Sequence, residues 1–405
     1  MGEPLIVIGN GMAAARFVEE LAKRALGRFA IAVIGEEPRL AYNRVLLSAL
    51  LAEEVEFSDL ELRPAAWWRT RGVTLRYGVR AASVDPIGRT VTLADGVKLA
   101  FSRLIFATGS RPLRLDIPGM GLPGVRTFRD IDDVNAIASA KSARTRAVVI
   151  GGGLLGLEAA YGLAKASANV TVIHLADRLM ERQLDRHAGL MLKCAVEAKG
   201  IAVMLESKTM RIVGDRRVEG VELANGSVIP ADIVVVAVGV QPNVELAREA
   251  GLAVNHGIVV DDNVETGVRA IHAIGECAEH RGACYGLVEP AHEQAQMLAR
   301  RLAGENARYP GSVLATNLKV SGVNLFSAGD FLGAAAGSEE IVLSDPELGV
   351  YRKLVIAGDR LIGAVLFGDS SDALWYLDLI RSASSIERLR GDLVFGGGPS
   401  IRVAA

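Results

Sequence analysis

Cysteine is scarce in this chain, with three residues in 405, and aromatic residues make up only 5%. Cys277 and Cys284 are not spaced as a Cys-x-x-Cys pair, and Cys194 lies far from both. Neither a dithiol relay nor a zinc or iron–sulfur ligand set can be drawn from them, so no metal site is expected and all three read as ordinary thiols. Charge of one sign is also lacking. The 45 Lys and Arg balance 47 Asp and Glu to a net −2, and the six histidines are scattered. Without a basic block to neutralise phosphates, a nucleic-acid partner is excluded. No apolar run reaches the roughly 18 residues of a membrane span. The first strand-like run begins almost at the N-terminus, leaving no room for a signal peptide, and a cytoplasmic location is expected.

What the chain has instead is glycine, 44 residues of it, six of them in two turns that each follow an apolar run. Leu5-Ile6-Val7-Ile8 runs into Gly9-Asn10-Gly11-Met12-Ala13-Ala14, and Ala147-Val148-Val149-Ile150 runs into Gly151-Gly152-Gly153-Leu154-Leu155-Gly156. In such a turn the first Gly permits the bend and the second lets backbone approach a pyrophosphate. The third small residue packs helix on strand, and the helix N-terminus faces the anion. Two such sites imply two dinucleotides, and two dinucleotides in one chain imply redox chemistry.

Strand-like runs at 5–8, 30–34, 103–107, 147–150, 170–173 and 233–238 alternate with helical patterns such as 13–25 and 155–166. That alternation predicts doubly wound parallel sheets. Segments 75–84 and 90–99, with turns at Gly88 and Asp95-Gly96, read as small antiparallel insertions, and 112–124 reads as a Pro- and Gly-rich hinge. Beyond about residue 308, strands at 350–356 and 361–368 and helices at 373–382 and 385–391 predict an α+β domain without a phosphate turn. Its expected role is a structural cap or subunit interface, which makes a homodimer an option. The strand at 30–34 ends in Gly35-Glu36-Glu37, where Glu36, with Glu37 as the alternative, would accept a ribose hydroxyl.

Further segments carry a resemblance. Ala107-Thr108-Gly109-Ser110-Arg111-Pro112, Ala237-Val238-Gly239-Val240-Gln241-Pro242-Asn243 and Ile271-His272-Ala273-Ile274-Gly275-Glu276-Cys277 resemble motifs of two-dinucleotide flavoproteins of the disulfide-reductase type. Ala41-Tyr42-Asn43-Arg44-Val45-Leu46-Leu47-Ser48, Leu179-Met180-Glu181-Arg182-Gln183-Leu184-Asp185 and the Leu389–Gly396 stretch resemble the FAD–NADH module of assimilatory nitrite and nitrate reductases, close to ferredoxin and rubredoxin reductases. The similarity spans 4–398. It implies a fold of two Rossmann-like domains and a C-terminal α+β domain: FAD on 1–113 with 240–308, NAD(P)H on 114–239, and an interface domain at 309–405.

The same resemblance assigns residues. Gly9, Gly11, Ala14 and Arg129 would take the FAD pyrophosphate, Ala107, Thr108 and Gly109 would line the flavin, and Gly275 and Glu276 would hold the ribityl chain. The helix start at 287–291 would face the pyrimidine end of the flavin. Gly151, Gly153, Leu155 and Gly156 would form the nicotinamide coenzyme's pyrophosphate turn, and Gly239 of the second junction would be a further cofactor-binding residue. Glu158 matches a glutamate close to the flavin–nicotinamide stack and is the catalytic candidate. Related ferredoxin reductases pair it with a Lys where this chain has Ala49, leaving Arg44 as the candidate cation. The strand at 170–173 ends in His174 rather than an acid. His174 with Arg178 and Arg182 suits the 2′-phosphate of NADPH, Asp177 suits a plain ribose, and NADH is slightly preferred.

The implied activity is hydride transfer from nicotinamide C4 to flavin N5, then release of electrons to a separate acceptor: an iron–sulfur protein, a rubredoxin-type protein or a nitrogen-oxide reductase. A rubredoxin or ferredoxin reductase is the neighbouring reading, and an NADH-binding redox sensor is the reading from another class.

Overall fold

The computed structural model describes residues 2–140, 142, 144–165, 168–320 and 322–397. Contacts divide the chain into two compact units: Met1–Leu47, Val55–Leu113 and Val240–Ser312 form one, and Ser48–Glu54, Arg114–Gly239 and Val313–Ala405 the other.

In the first unit five parallel strands lie in the order Ile271–Ala273, Arg103–Phe106, Glu3–Ile8, Phe29–Gly35, Thr74–Tyr77. Leu5, Ile6, Val7 and Ile8 are all buried, as expected of a strand covered on both faces, which reads as an unbroken apolar run. Helix Met12–Ala25 buries Ala14, Phe17, Val18 and Leu21 against the same core, and truncating Phe17 to Ala would cost about 3 kcal/mol or more. Strand order reverses at Glu3–Ile8, so a crevice opens past its carboxyl end, where the first glycine turn stands.

The second unit repeats this plan. Its parallel sheet runs Ala202–Met204, Asn169–Ile173, Arg146–Ile150, Ile233–Val236, Val125–Thr127, with the second glycine turn after the central strand. Helix Leu154–Lys165 follows; Ala166, the last residue of the helix expected there, lies outside the described residues. The unit also holds an antiparallel sheet ordered Ala315–Val320, Val323–Gly329, Arg360–Phe367, Val350–Ala357, Ser338–Asp345. Helix Ala373–Ser382 covers one face of it, and Tyr376 and Leu377 pack with Phe326, Leu354, Ile356 and Leu366. Among the described residues no helix is long and apolar enough to cross a membrane.

Two expectations need correction, and one sheet has no counterpart among them. Segment 75–84 is not one antiparallel insertion. Thr74–Tyr77 is the outer strand of the parallel sheet, and the chain turns away at Gly78 (φ +77) before Ala81–Asp85 pairs with Thr90–Leu93. The stretch 385–391 is not a helix: the Ile386 N–H donates to Asp359 O at 2.7 Å and its side chain is fully buried. That anchoring holds the stretch as successive turns leading to the 3-10 turn Leu393–Phe395. Finally, Thr209–Val213, Gly220–Leu223 and Val228–Pro230 form an unanticipated antiparallel sheet, the counterpart of Ala81–Asp85, Thr90–Leu93 and Lys98–Ala100 in the first unit.

Candidate functional site

The two turns are built alike. Gly9 (φ +117) donates its N–H to Ile34 O at 2.8 Å, and Gly151 (φ +119) donates to Ile173 O at 2.8 Å. Ala107 N–H bonds Ile8 O at 2.7 Å and Ala237 N–H bonds Ile150 O at 2.8 Å, bringing each Ala-x-Gly junction against its turn. A Cβ on Gly9 would stand 2.0 Å from Ala107 O, and one on Gly151 2.2 Å from Ala237 O, so only glycine fits. The third position differs: fully buried Ala14 is accommodated in the first turn, whereas a Cβ on Gly156 would fall 2.0 Å from Gly151 O.

The middle glycines are the informative ones. A Cβ on Gly11 or Gly153 would meet nothing within 4 Å. Packing therefore gives no reason for glycine there, and the open space above each helix start is the space a pyrophosphate needs. Neither helix has an acidic residue in its first turn, and the Gly11 N-cap has no side chain to satisfy the first N–H groups. Those donors, Leu155 N–H among them, suit an anion. The residues present fit two dinucleotides, FAD and NAD(P)H.

Around the first turn, Gly275 (φ +80) would bring a Cβ within 3.0 Å of the Ala13 Cβ, and its N–H is held by buried Gln294 Oε1 at 2.8 Å. Glu276 accepts from Ser110 Oγ at 2.8 Å. Thr108 is fixed by a double bond with Asn243: Oγ1 to the Asn243 carbonyl at 2.7 Å, and Asn243 Nδ2 to the Thr108 carbonyl at 2.9 Å. Gly109 (φ +63) has open space where a Cβ would be. Glu37 accepts from Tyr42 Oη at 2.8 Å and pairs with Arg44, which also lies 4.9 Å over the Tyr42 ring. That leaves Glu36 the exposed acid beside Gly35. The helix expected to start near 287 is Val288–Leu302.

In the second unit, Glu158 hydrogen-bonds Ser48, and burial pushes its carboxyl up to about 7, only partly offset by that bond. Arg44, the candidate cation, pairs with Glu37 within the first unit. Segment Ser48–Glu54 lies along one face of helix Leu154–Lys165. Ser48 meets Glu158, Leu51 fills the space a Cβ on Gly162 would need, and Glu54 pairs with Lys165 at 3.4 Å. His174 is buried with both ring nitrogens engaged, accepting from Gly152 N–H and facing Glu181 at 3.0 Å each. Arg178 is turned to Asp177 and the Leu184 carbonyl, while Arg182 is exposed. Arg129 belongs to this unit; its N–H donates to Asp133 at 2.9 Å. Gly239 (φ +122) ends the unit's Arg114–Gly239 segment, with open space at its Cβ position.

The cysteines are free thiols. Cys277 is fully buried and donates weakly to Ile274 O at 3.3 Å, and burial raises its pKa. Burial pushes Cys284 up to about 11, so neither thiol is poised as a nucleophile. Among the described residues no group of three or more His, Cys, Asp or Glu is placed to hold a metal ion. Reading the sequence alone missed Gln294 and the bonding roles of Asn243, Ser48 and Gly152. Asn243 and Ser48 close segments already singled out, but their bonds, like that of Gln294, span distances no local pattern reports.

Residues 3–297 match the family described as pyridine nucleotide-disulphide oxidoreductase, and 315–384 match the rubredoxin NAD+ reductase C-terminal domain. The chain is 46% identical over 384 residues to the nitrite reductase (NAD(P)H) of Bacillus subtilis (strain 168), covering 94% of this chain and 48% of that protein. It is 38% identical over 391 residues to the assimilatory nitrate reductase electron transfer subunit of the same organism, covering 96% and 51%. It thus spans about half the length of these curated relatives. Among solved structures, the covalent putidaredoxin reductase–putidaredoxin complex matches with a TM-score of 0.89 at 26% identity, over 96% of each chain. With its two complete dinucleotide turns, the chain belongs to the pyridine nucleotide-disulphide oxidoreductases, flavoenzymes that use FAD and NAD(P)H.

Proposed function

We propose that this oxidoreductase is the electron-input component of an assimilatory nitrite or nitrate reductase, working in the cytoplasm. It takes hydride equivalents from NAD(P)H and passes electrons to a separate metal-bearing partner. The observation that carries this reading is the pair of turns whose middle glycines, Gly11 and Gly153, face open space. The matching electron transfer subunit of Bacillus subtilis supports the choice of acceptor. In this reading 1–113 with 240–308 holds FAD, 114–239 holds NAD(P)H, and 309–405 borders the partner. When bound, the flavin accepts an electron pair and releases electrons singly, and the protein's work is to position and to exclude water. Gly9, Gly11, Ala14 and the Thr108–Asn243 clasp shape the flavin site, Glu276 offers a carboxylate to the ribityl chain, and Glu36 offers one to a ribose.

FAD-loaded protein supplied with NADH is expected to reduce ferricyanide and to leave nitrite and nitrate unchanged. Adding a metal-bearing nitrite or nitrate reductase component should start nitrogen-oxide consumption. Nitrite loss with the isolated chain would overturn this division of labour. The rubredoxin reductase-type C-terminal match at 315–384 favours one second reading, a rubredoxin or ferredoxin reductase. Much faster electron transfer to such a carrier would select it.

The thiols take no part in this reading. A Cys194→Ser, Cys277→Ser, Cys284→Ser protein should keep NAD(P)H-to-flavin transfer within about tenfold, a barrier change of ~1.4 kcal/mol. Stopped-flow bleaching of the flavin measures it, and a larger loss at full flavin content would implicate a thiol.

A further inference from the structure

The second turn lacks an acid where a coenzyme ribose is normally read. The hydrogen bonds from Gly9 to Ile34 and from Gly151 to Ile173 align the two units, so that His174 stands where the first unit has Gly35, and Leu175 where it has Glu36. Leu175 is 69% exposed and offers no acceptor. The turn residue beside the first glycine has changed in the opposite sense. In the first unit the Asn10 side chain lies where a Cβ on Gly35 would be, at 2.6 Å. In the second, His174 Cγ lies 2.7 Å from where a Cβ on Gly152 would be. A side chain has been exchanged across the turn, and what it brings is a ring.

That ring is committed in a definite sense. Its Nδ1 accepts the Gly152 N–H at 3.0 Å, so the proton sits on Nε2, which donates to Glu181 Oε2 at 3.0 Å. The loop carrying Glu181 is tied to the same turn residue a second time, by Met180 N–H to Gly152 O at 3.0 Å. Met180 holds a left-handed φ of +51, and its carbonyl accepts from both Gln183 and Leu184 N–H at 2.8 Å. Both backbone groups of Gly152 therefore serve to hold Glu181 beside the phosphate turn. The carboxylate is nevertheless accessible, with 35% of its side chain exposed. The bond from His174 lowers its pKa and keeps it charged.

We propose that Glu181 reads the adenosine ribose of the nicotinamide coenzyme, accepting from the 2′-hydroxyl and repelling a 2′-phosphate, with His174 as its positioning residue. The site is thereby selective for NADH over NADPH. This rests on the second turn binding the coenzyme. Arg178 does not oppose it, because its guanidinium is turned to Asp177 and the Leu184 carbonyl. Exposed Arg182 is the cation that would favour a 2′-phosphate if Glu181 did not dominate.

Calorimetric titration of the FAD-loaded protein with NAD+ and with NADP+ tests this without turnover. NAD+ should bind at least about tenfold more tightly, and Glu181→Gln should bring the ratio close to one by weakening NAD+ and strengthening NADP+. His174→Ala should reduce the ratio in the same direction, and Glu181→Arg should invert it. Equal affinities in the unchanged protein would overturn the proposal. So would a Glu181→Gln protein that weakens both coenzymes alike at an unchanged ratio, the mark of a merely structural residue. Binding of neither coenzyme at any concentration would instead remove the coenzyme reading of the second turn, and this proposal with it.

Discussion

A Gly153→Val protein is expected to keep its full complement of flavin and to lose reduction by NAD(P)H. A Cβ at residue 153 meets nothing within 4 Å, so the fold accepts it, but the side chain then occupies the space left for the second pyrophosphate. Hydrogen bonds from backbone N–H to a charged acceptor are worth about 1.5–3 kcal/mol each. Losing two of them weakens the coenzyme by roughly a hundredfold or more. Flavin absorbance gives the first readout and anaerobic bleaching by NADH the second. The matching change in the other turn, Gly11→Val, should do the reverse and yield protein without FAD. Gly156→Val is a different experiment, because its Cβ would stand 2.0 Å from Gly151 O. The turn itself must shift there, and a lower melting temperature is expected rather than a clean loss of reduction. Unchanged bleaching kinetics in Gly153→Val would place the coenzyme elsewhere.

Those glycines were legible because the physics that selects them is local. Leu5–Val7 and Val148–Val149 are apolar without a break because both sheet faces are covered, and the turns follow directly. What was hidden depends on partners far along the chain. Thr74–Tyr77 joins the parallel sheet only through Phe29–Gly35, and nothing in its own four residues distinguishes parallel from antiparallel pairing. The insertion sheet of the second unit did carry a signal. Leu223-Ala224-Asn225-Gly226 repeats Leu93-Ala94-Asp95-Gly96 at the same distance ahead of its Ala-x-Gly junction, and Gly226 and Gly96 turn at φ +82 and +85. His174 stands out in the sequence because it ends a strand, but its bond to Gly152 is not visible there. Comparing the turns pairwise, Asn10 with Gly35 against Gly152 with His174, was the clue available. Ser48 had none, since it meets Glu158 only when Ser48–Glu54 lies on the helix Leu154–Lys165.

That last contact sets the second large effect, a pH dependence. Glu158 has its carboxyl raised from an ordinary 4.5 to about 7, chiefly by burial, with the Ser48 hydrogen bond pulling the other way. The folded protein thus holds this proton more tightly than the unfolded chain does. The stability it contributes is full below about 4.5, falls as pH rises toward 7, and is level above that. Glu158→Gln should remove this slope from a melting-temperature profile over the same window. The effect on reduction runs in the opposite sense. On the proposal that Glu158 lies beside the nicotinamide, its ionised carboxylate would offset the positive charge growing on a ring that gives up hydride. Bleaching of the flavin by NADH is therefore expected to accelerate by about tenfold as pH rises through the Glu158 midpoint. Glu158→Gln should be slow and flat. Ser48→Ala, by removing the bond that lowers the pKa, should move the midpoint above 7 while leaving the high-pH plateau in place. A buried acid that only packs would change the melting profile and leave the bleaching profile as it was, so the shift in Ser48→Ala separates positioning at the reacting ring from packing in the helix.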